Sequence, residues 1–383
     1  MRFPESKIKD AILHRAPDIR ERATRYFAGS HSQDDSLMAL VIEAVQMYGR
    51  RDSYQLIGPS RDLPQTAESI AWVIDELNDD QSEKYESYVS NLSMVLIGAE
   101  PALLASQASS ILESRHFRSS LHRAFTERLT MQSWGEADCW RKLEEFCEDG
   151  NDDEFTSEVD WSHAFRIVDA LARHGQACEG RVNEYLSQKL TDDDQSPMSW
   201  MTPLAARLAG LAHLDTAVPL LINKLREDGE NILNEQCAEA LGRIGSPAVV
   251  QALADAFPSA PDHFRLAACD TLECIRSDLV VETCVRLLER ERKTMVRECL
   301  THTLLSQFAQ EGIEAARQLL KTGELKWEAE DLRDFLLETC TITGDRFPEF
   351  DDWQAERIAE KELHKKTIEE IGGDRDQIGR AHV

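Results

Sequence analysis

The sequence predicts an all-α fold, an α-solenoid in which antiparallel helix pairs stack into a superhelix. Three observations lead there. Apolar triplets recur in register at Val218/Leu221/Leu225, Val250/Leu253/Phe257, Val281/Cys284/Leu288 and Ile313/Ala316/Leu320, stepping by 32, 31 and 32 residues at all three positions. A fixed period of this size marks a chain of stacked supersecondary units. Within each triplet the i, i+3, i+7 spacing paints one stripe of a helix. Finally, the alternating apolar pattern and paired turn signals of strands and hairpins are missing.

Each triplet belongs to the second helix of a pair. The first helices read LAARLAGL (204–211), CAEALGRI (237–244), ACDTLECI (268–275) and CLTHTLLSQF (299–308). Leu208, Leu241, Leu272 and Leu304 or Leu305 anchor them, followed by Leu211, Ile244, Ile275 and Phe308. One such hairpin cannot bury its stripe alone, whereas stacked hairpins share a continuous core. Small residues sit where first helices must approach closely: Ala205, Ala209, Gly210, Ala238, Ala240, Gly242, Ala267 and Ala268. Asp215, Ser246-Pro247 and Ser277-Asp278 suit N-caps and first helical turns.

These units resemble HEAT repeats, in particular the short subtype of about thirty residues also found in bilin-lyase-like proteins. Phe264-Arg265 and Val296-Arg297 carry the resemblance further, as does the N-terminal Asp18-Ile19-Arg20-Glu21-Arg22-Ala23. It covers 200–321 well and 5–50 in part. What it implies is protein–protein interaction, with second helices lining the concave face. A different implication is an enzyme-associated role, lyase-like or as an accessory subunit, in which the chain presents a substrate protein or cofactor.

The rest of the chain divides into regions. Residues 1–133 read as irregular helical repeats, beginning with short amphipathic stretches at 4–14, 18–28 and 35–48 and continuing through 65–77, 82–98 and a helix that Pro101 begins. Residues 134–196 are helical with an acidic, aromatic stretch: Trp134, Trp140, Phe146, Phe155 and Trp161 alternate with nine carboxylates between Glu144 and Asp160. That stretch reads either as an aromatic-rimmed surface for a basic peptide or as one helix burying Trp140, Leu143 and Phe146-Cys147 followed by a solvated loop. Residues 197–322 are the regular repeats. Residues 323–371 are capping helices over the last repeat, the second of them with Trp353, Ile358, Leu363 and Ile368 along it. Residues 372–383 are a disordered tail carrying no fold. Its last six residues, Ile378 to Val383, are what one frame of a widely used sequencing adapter encodes, so the natural frame is expected to depart near Gln377.

Composition narrows the function. Against 43 Lys and Arg stand 70 Asp and Glu, a formal charge of −27. Phosphate backbones are held by clustered cations, so a nucleic-acid groove is disfavoured, as is an anionic membrane surface. No apolar run approaches the ~20 residues that span a bilayer. The expected partner is a protein, and a basic one is compatible with the charge. Nine cysteines, none in a CxxC pair, read as small core residues in a reducing compartment, which places the chain in the cytoplasm.

No catalytic motif is present: HExxH, GxSxG, Walker and GxGxxG patterns are all missing. His116 and His122 are six apart and do not share a helix face well, His163 and His174 are eleven apart and can align on one, and a ligand pair there would still need a third partner. We therefore expect no catalytic, metal or cofactor residue. Candidate partner-binding residues are Asn223, Asp255, Arg286 and Gln318, five positions after each second helix's first anchor and so turned away from the buried stripe. Trp134 and Trp161 join them from the acidic, aromatic stretch.

Overall fold

The computed structural model describes residues 2–150, 160–188, 197–227, 231–323 and 329–370. Among these, helices joined by short turns make up the architecture, and the only β pairing is an isolated antiparallel bridge between Arg2 and Ala309. The helices gather into two compact units. One comprises 1–122 with 308–383, the other 123–307.

Unit 1 begins with α1 (Glu5–Asp10), α2 (Pro17–Gly29), α3 (Leu37–Tyr48), α4 (Tyr54–Ser60), α5 (Ala67–Asn78), α6 (Glu86–Gly98), α7 (Pro101–Leu104) and α8 (Ala108–Leu112). Local chemistry sets several of these ends. Pro17 and Pro101 begin α2 and α7 at the position where a missing N–H costs nothing. Thr66 and Ser69 form a reciprocal capping box at α5. The helix expected from Pro101 is broken by a 3-10 turn at Ala105–Gln107, although Leu104 and Ile111 are buried as the apolar spacing requires.

Polar groups also enter this core. Arg20 is fully buried, donates to the carbonyls of His14 (2.9 Å) and Arg15 (3.0 Å) and of Asp52, and lies 4.2 Å from the Tyr48 ring centroid. It thus ties the turn before α2 to the turn before α4. The Glu76 carboxylate receives Arg50 Nε (2.6 Å) and the Tyr88 hydroxyl (3.0 Å), joining α5 and α6 to the end of α3.

Unit 2 holds the rest of α9 (His122–Met131), then α10 (Glu136–Gly150), α11 (Trp161–Ala172), α12 (Glu179–Ser187), α13 (Pro197–Leu211), α14 (Val218–Arg226), α15 (Asn231–Ile244), α16 (Pro247–Ala256), α17 (Asp262–Cys274), α18 (Asp278–Arg290) and α19 (Thr294–Ser306). From α13 onward, first and second helices alternate as the period predicts. Leu208, Leu221, Leu241, Leu253, Leu272, Cys284 and Leu304 are all fully buried. The third column of the triplets is less regular. Leu225 and Phe257 are buried, but at α18 Leu287 is the buried residue (7% exposed) while Leu288 is only half-buried. Six residues after the first anchor and seven after it fall on neighbouring edges of the same stripe, so the last turn can use either.

The chain returns to unit 1 with α20 (Gln310–Thr322), α21 (Ala329–Thr343) and α22 (Phe350–Glu370). These were expected as a cap on the last repeat. Helix α21 does pack on α20, yet it also packs on α1 and α2 from the opposite end of the chain. In α22 Ile358 and Leu363 are 50% and 67% exposed. Phe350, Trp353 and Arg357 form the contact face, spaced i, i+3, i+7. The side chain of Ile368 and the tail 372–383 with its adapter-like end lie outside the described residues.

Candidate protein-binding surface

Successive first helices of unit 2 meet through their smallest residues. A Cβ on Gly210 of α13 would lie 2.5 Å from Ala240 Cα on α15, and one on Gly242 of α15 would lie 3.2 Å from the Cys274 Cβ on α17. Second helices present Val, Leu and Ile on their buried faces. Helix separation follows side-chain size at the crossing. The first helices α13, α15 and α17 therefore approach one another closely.

Along one edge of the first helices, half-buried charged side chains form two groups, each linked across neighbouring repeats. Arg207 of α13 donates to Asp169 of α11 at 2.9 Å and stands 3.7 Å from Glu239 of α15. Glu239 also receives Arg243 at 2.9 and 3.0 Å. Farther on, Glu273 of α17 receives the Ser306 hydroxyl at 2.9 Å and lies 3.0 Å from His302 Nδ1, both on α19. Between these clusters Asp270 faces solvent, yet burial and the neighbouring Glu273 push its carboxyl above the ordinary range.

The four polar positions predicted on second helices are all exposed. Asn223, Asp255 and Arg286 occupy equivalent places on α14, α16 and α18 of unit 2, and Gln318 lies on α20 of unit 1. The hydrogen bonds recorded for Asp255 and Gln318 stay within their own helices, to Gln251 (2.7 Å) and Glu314 (2.7 Å).

The acidic, aromatic stretch is divided by the fold. Trp140, Leu143 and Cys147 are buried in α10, while Phe146 is half-buried. Half-buried Trp161 stacks on Trp200 of α13 with centroids 5.2 Å apart and meets Phe146 and Phe165 at 6.2 and 6.0 Å. Arg207 covers Phe165 from 4.7 Å, so the cluster adjoins the charged row. Trp161 thereby knits α10, α11 and α13 together. Trp134 is half-buried outside that cluster, and the stretch containing Asp152, Asp153, Glu154, Phe155 and Glu158 lies outside the described residues. Sequence reasoning missed Asp169, Arg207, Glu239 and Asp270. Their signal was there, since Arg207, Glu239 and Asp270 follow the same 32- and 31-residue steps.

His163 Nδ1 lies 3.2 Å from Glu127, which Arg123 and Arg166 also engage. Burial opposes ionisation of Glu127, but those three partners hold its carboxyl down to about 2, as in a structural ion cluster. The His122 ring stacks on Phe117. The cysteines are free thiols, and burial pushes those of Cys237 and Cys284 up to about 12. Such thiols stay protonated and unreactive. No group of three or more His, Cys, Asp or Glu among the described residues could hold a metal ion. No single described helix is long and apolar enough to cross a membrane.

Comparison with known proteins agrees with the repeat register. Residues 203–273 match the family described as HEAT repeats. Curated protein sequences give no match. Among solved structures, Kap121p bound to Ste12p is similar over 93% of this chain and 43% of its own, with 13% identity and a TM-score of 0.40. A multiply substituted Kap121p mutant is similar over 92% of this chain and 42% of its own, with 13% identity and a TM-score of 0.38. The chain thus spans less than half the length of those structures.

Proposed function

We propose that this chain, which carries HEAT repeats, is a non-catalytic scaffold that binds a protein partner along the first helices of unit 2. The observation that carries the reading is the row Asp169–Arg207–Glu239–Arg243, continued by Asp270, Glu273 and His302. Asp169, Arg207, Glu239 and Arg243 hold one another across α11, α13 and α15, and Glu273 and His302 pair across α17 and α19, so a partner meets side chains largely ordered in advance, and pre-ordering lowers the entropy lost on binding. Asn223, Asp255 and Arg286 form a second, less organised face, and Trp134 borders neither row. A basic partner fits the formal charge of −27, and attraction between opposite surfaces speeds encounter and selects partners. Free, buried cysteines fit the reducing cytoplasm.

The test begins with native complexes of the full chain, purified by affinity and identified by mass spectrometry. Each saturable partner is then titrated against the wild type, Glu239→Lys/Asp270→Lys and Asp255→Lys/Arg286→Glu. The reading expects the first double variant to lose binding and the second to keep it. The reverse pattern moves the site to the second helices, and a chain with no saturable partner is not a scaffold.

A further inference from the structure

Unit 1 is assembled from two stretches far apart in sequence, 1–122 and 308–370, and the joint between them differs from the core on either side. Its centre is Arg357 of α22, only 4% exposed. Arg357 engages Asp18 of α2 at 2.8 Å and Asp334 of α21 at 2.9 Å, and also binds Glu338 of α21. One turn along α22, Lys361 Nζ lies 3.1 Å from the same Asp18 oxygen. One turn along α2, Arg22 places its guanidinium 3.2 Å from the Phe335 ring centroid. After Trp353, no apolar side chain of α22 among the described residues is buried, and Ile358 and Leu363 stand in solvent.

A second hold lies at Phe308. Its carbonyl accepts from Phe3 N at 3.2 Å, and its ring meets the edge of Tyr26 with centroids 5.4 Å apart. Phe308 holds this place with φ at +52°, a left-handed conformation that strains a bulky residue. Strain of this kind persists only where surrounding structure imposes it, and it gathers at switch regions.

We propose that this joint is a clasp, a conformational device that closes 1–122 onto 308–370 through the Arg357 cluster and opens as a unit, so that α2, α21 and α22 lose one another's cover and their backbones exchange together. The physical reason is the composition of the joint. Burying charges costs desolvation that their mutual attraction barely offsets, so separating them into water costs far less than exposing an equal apolar area. Each side also keeps packing of its own, because α2 rests on α4 and α21 rests on α20. Opening thus uncovers α2, α21 and α22 together without unfolding the rest of either half.

Hydrogen exchange of the full chain, read by mass spectrometry, tests the clasp in two variants from opposite ends. In Asp18→Asn, protection of 330–361 falls together with that of 16–29, by about tenfold or more, while 237–305 keeps its wild-type protection. In Arg357→Gln the same three regions respond in the same way. Loss confined to the substituted helix and its sequence neighbours overturns the proposal, because the joint then does not open as one. Unchanged exchange in both variants, or loss spreading through 237–305, overturns it as well.

Discussion

Asp18 of α2 and Arg357 of α22 stand 2.8 Å apart, joining the beginning of the chain to its end through a nearly buried ion pair. Arg357 also serves Asp334 and Glu338, so its removal takes an ion-pair partner from three carboxylates, of which Asp18 keeps Lys361. Breaking a buried ion cluster on one side costs ~3–5 kcal/mol, whereas replacing the whole cluster by apolar residues of similar volume is near neutral. We therefore expect Arg357→Ala to lower the stability of unit 1 by about 3 kcal/mol, and Asp18→Leu/Asp334→Leu/Glu338→Met/Arg357→Met to regain most of that loss. Urea unfolding followed by circular dichroism measures both. Equal loss in the two variants would show that the charges themselves, and not their unpaired burial, set the outcome.

Glu338 gives the same joint a pH dependence. Burial raises its carboxyl to about 7 from an ordinary 4.5, with Asp18 adding to the rise, while Arg357, Arg22 and Lys361 oppose it. Asp334, one turn back on α21, shares Arg357 with it. The folded chain consequently holds a proton between pH 4.5 and 7 that the unfolded chain releases, so stability falls as pH rises through that window. The expected loss is on the order of 2–3 kcal/mol from this one group. In Glu338→Gln, unfolding free energy measured between pH 5 and 8 should vary by much less. A wild-type protein that gains stability as pH rises through the same range would reverse the assignment.

Core positions should rank by burial and not by their place in the repeat pattern. Leu253 is fully buried and its truncation to Ala should cost ~2–5 kcal/mol. At α18, Leu287→Ala should cost clearly more than Leu288→Ala, since Leu287 is the buried one. Chemical denaturation of the three variants provides the ranking. A cost for Leu253→Ala below ~0.5 kcal/mol would mean that the repeat register is wrong.

Two glycine substitutions should move stability in opposite directions. A Cβ at Gly210 meets the Ala240 backbone, so Gly210→Ala should push α13 from α15 and cost ~1–3 kcal/mol. Nothing lies within 4 Å of a Cβ at Gly180 near the start of α12, and Gly180→Ala should stabilise by ~0.5–1 kcal/mol through helix propensity. Thermal melts of the pair suffice, and a neutral Gly210→Ala would contradict the close approach of the first helices.

The repeats were legible because their information is local. Leu221, Leu253 and Cys284 announce a buried stripe through spacing alone, and all three are fully buried. The joint in unit 1 was not legible for the opposite reason. Asp18 and Arg357 each sit on a helix rich in charge, where a buried ion looks like any solvated one until its partner at the other end is known. The charged row of unit 2 lay within reach, because Arg207, Glu239 and Asp270 keep the repeat's phase. Apolar columns drew the attention, and the family resemblance directed the search to Asn223, Asp255 and Arg286 on the other helices. Trp161 illustrates a further limit: a tryptophan beside acidic residues reads as a surface anchor until Trp200 is found stacked upon it at 5.2 Å.

The most direct measurement is zero-length carbodiimide cross-linking of a purified native complex, with the joined peptides mapped by mass spectrometry. The account predicts that partner lysines attach to carboxylates on the first helices of unit 2, chiefly Glu239, Asp270 and Glu273, and that these links vanish in Glu239→Lys/Asp270→Lys. Links concentrated instead at Asp255 and Glu282 on the second helices, unaffected by that double variant, would contradict it.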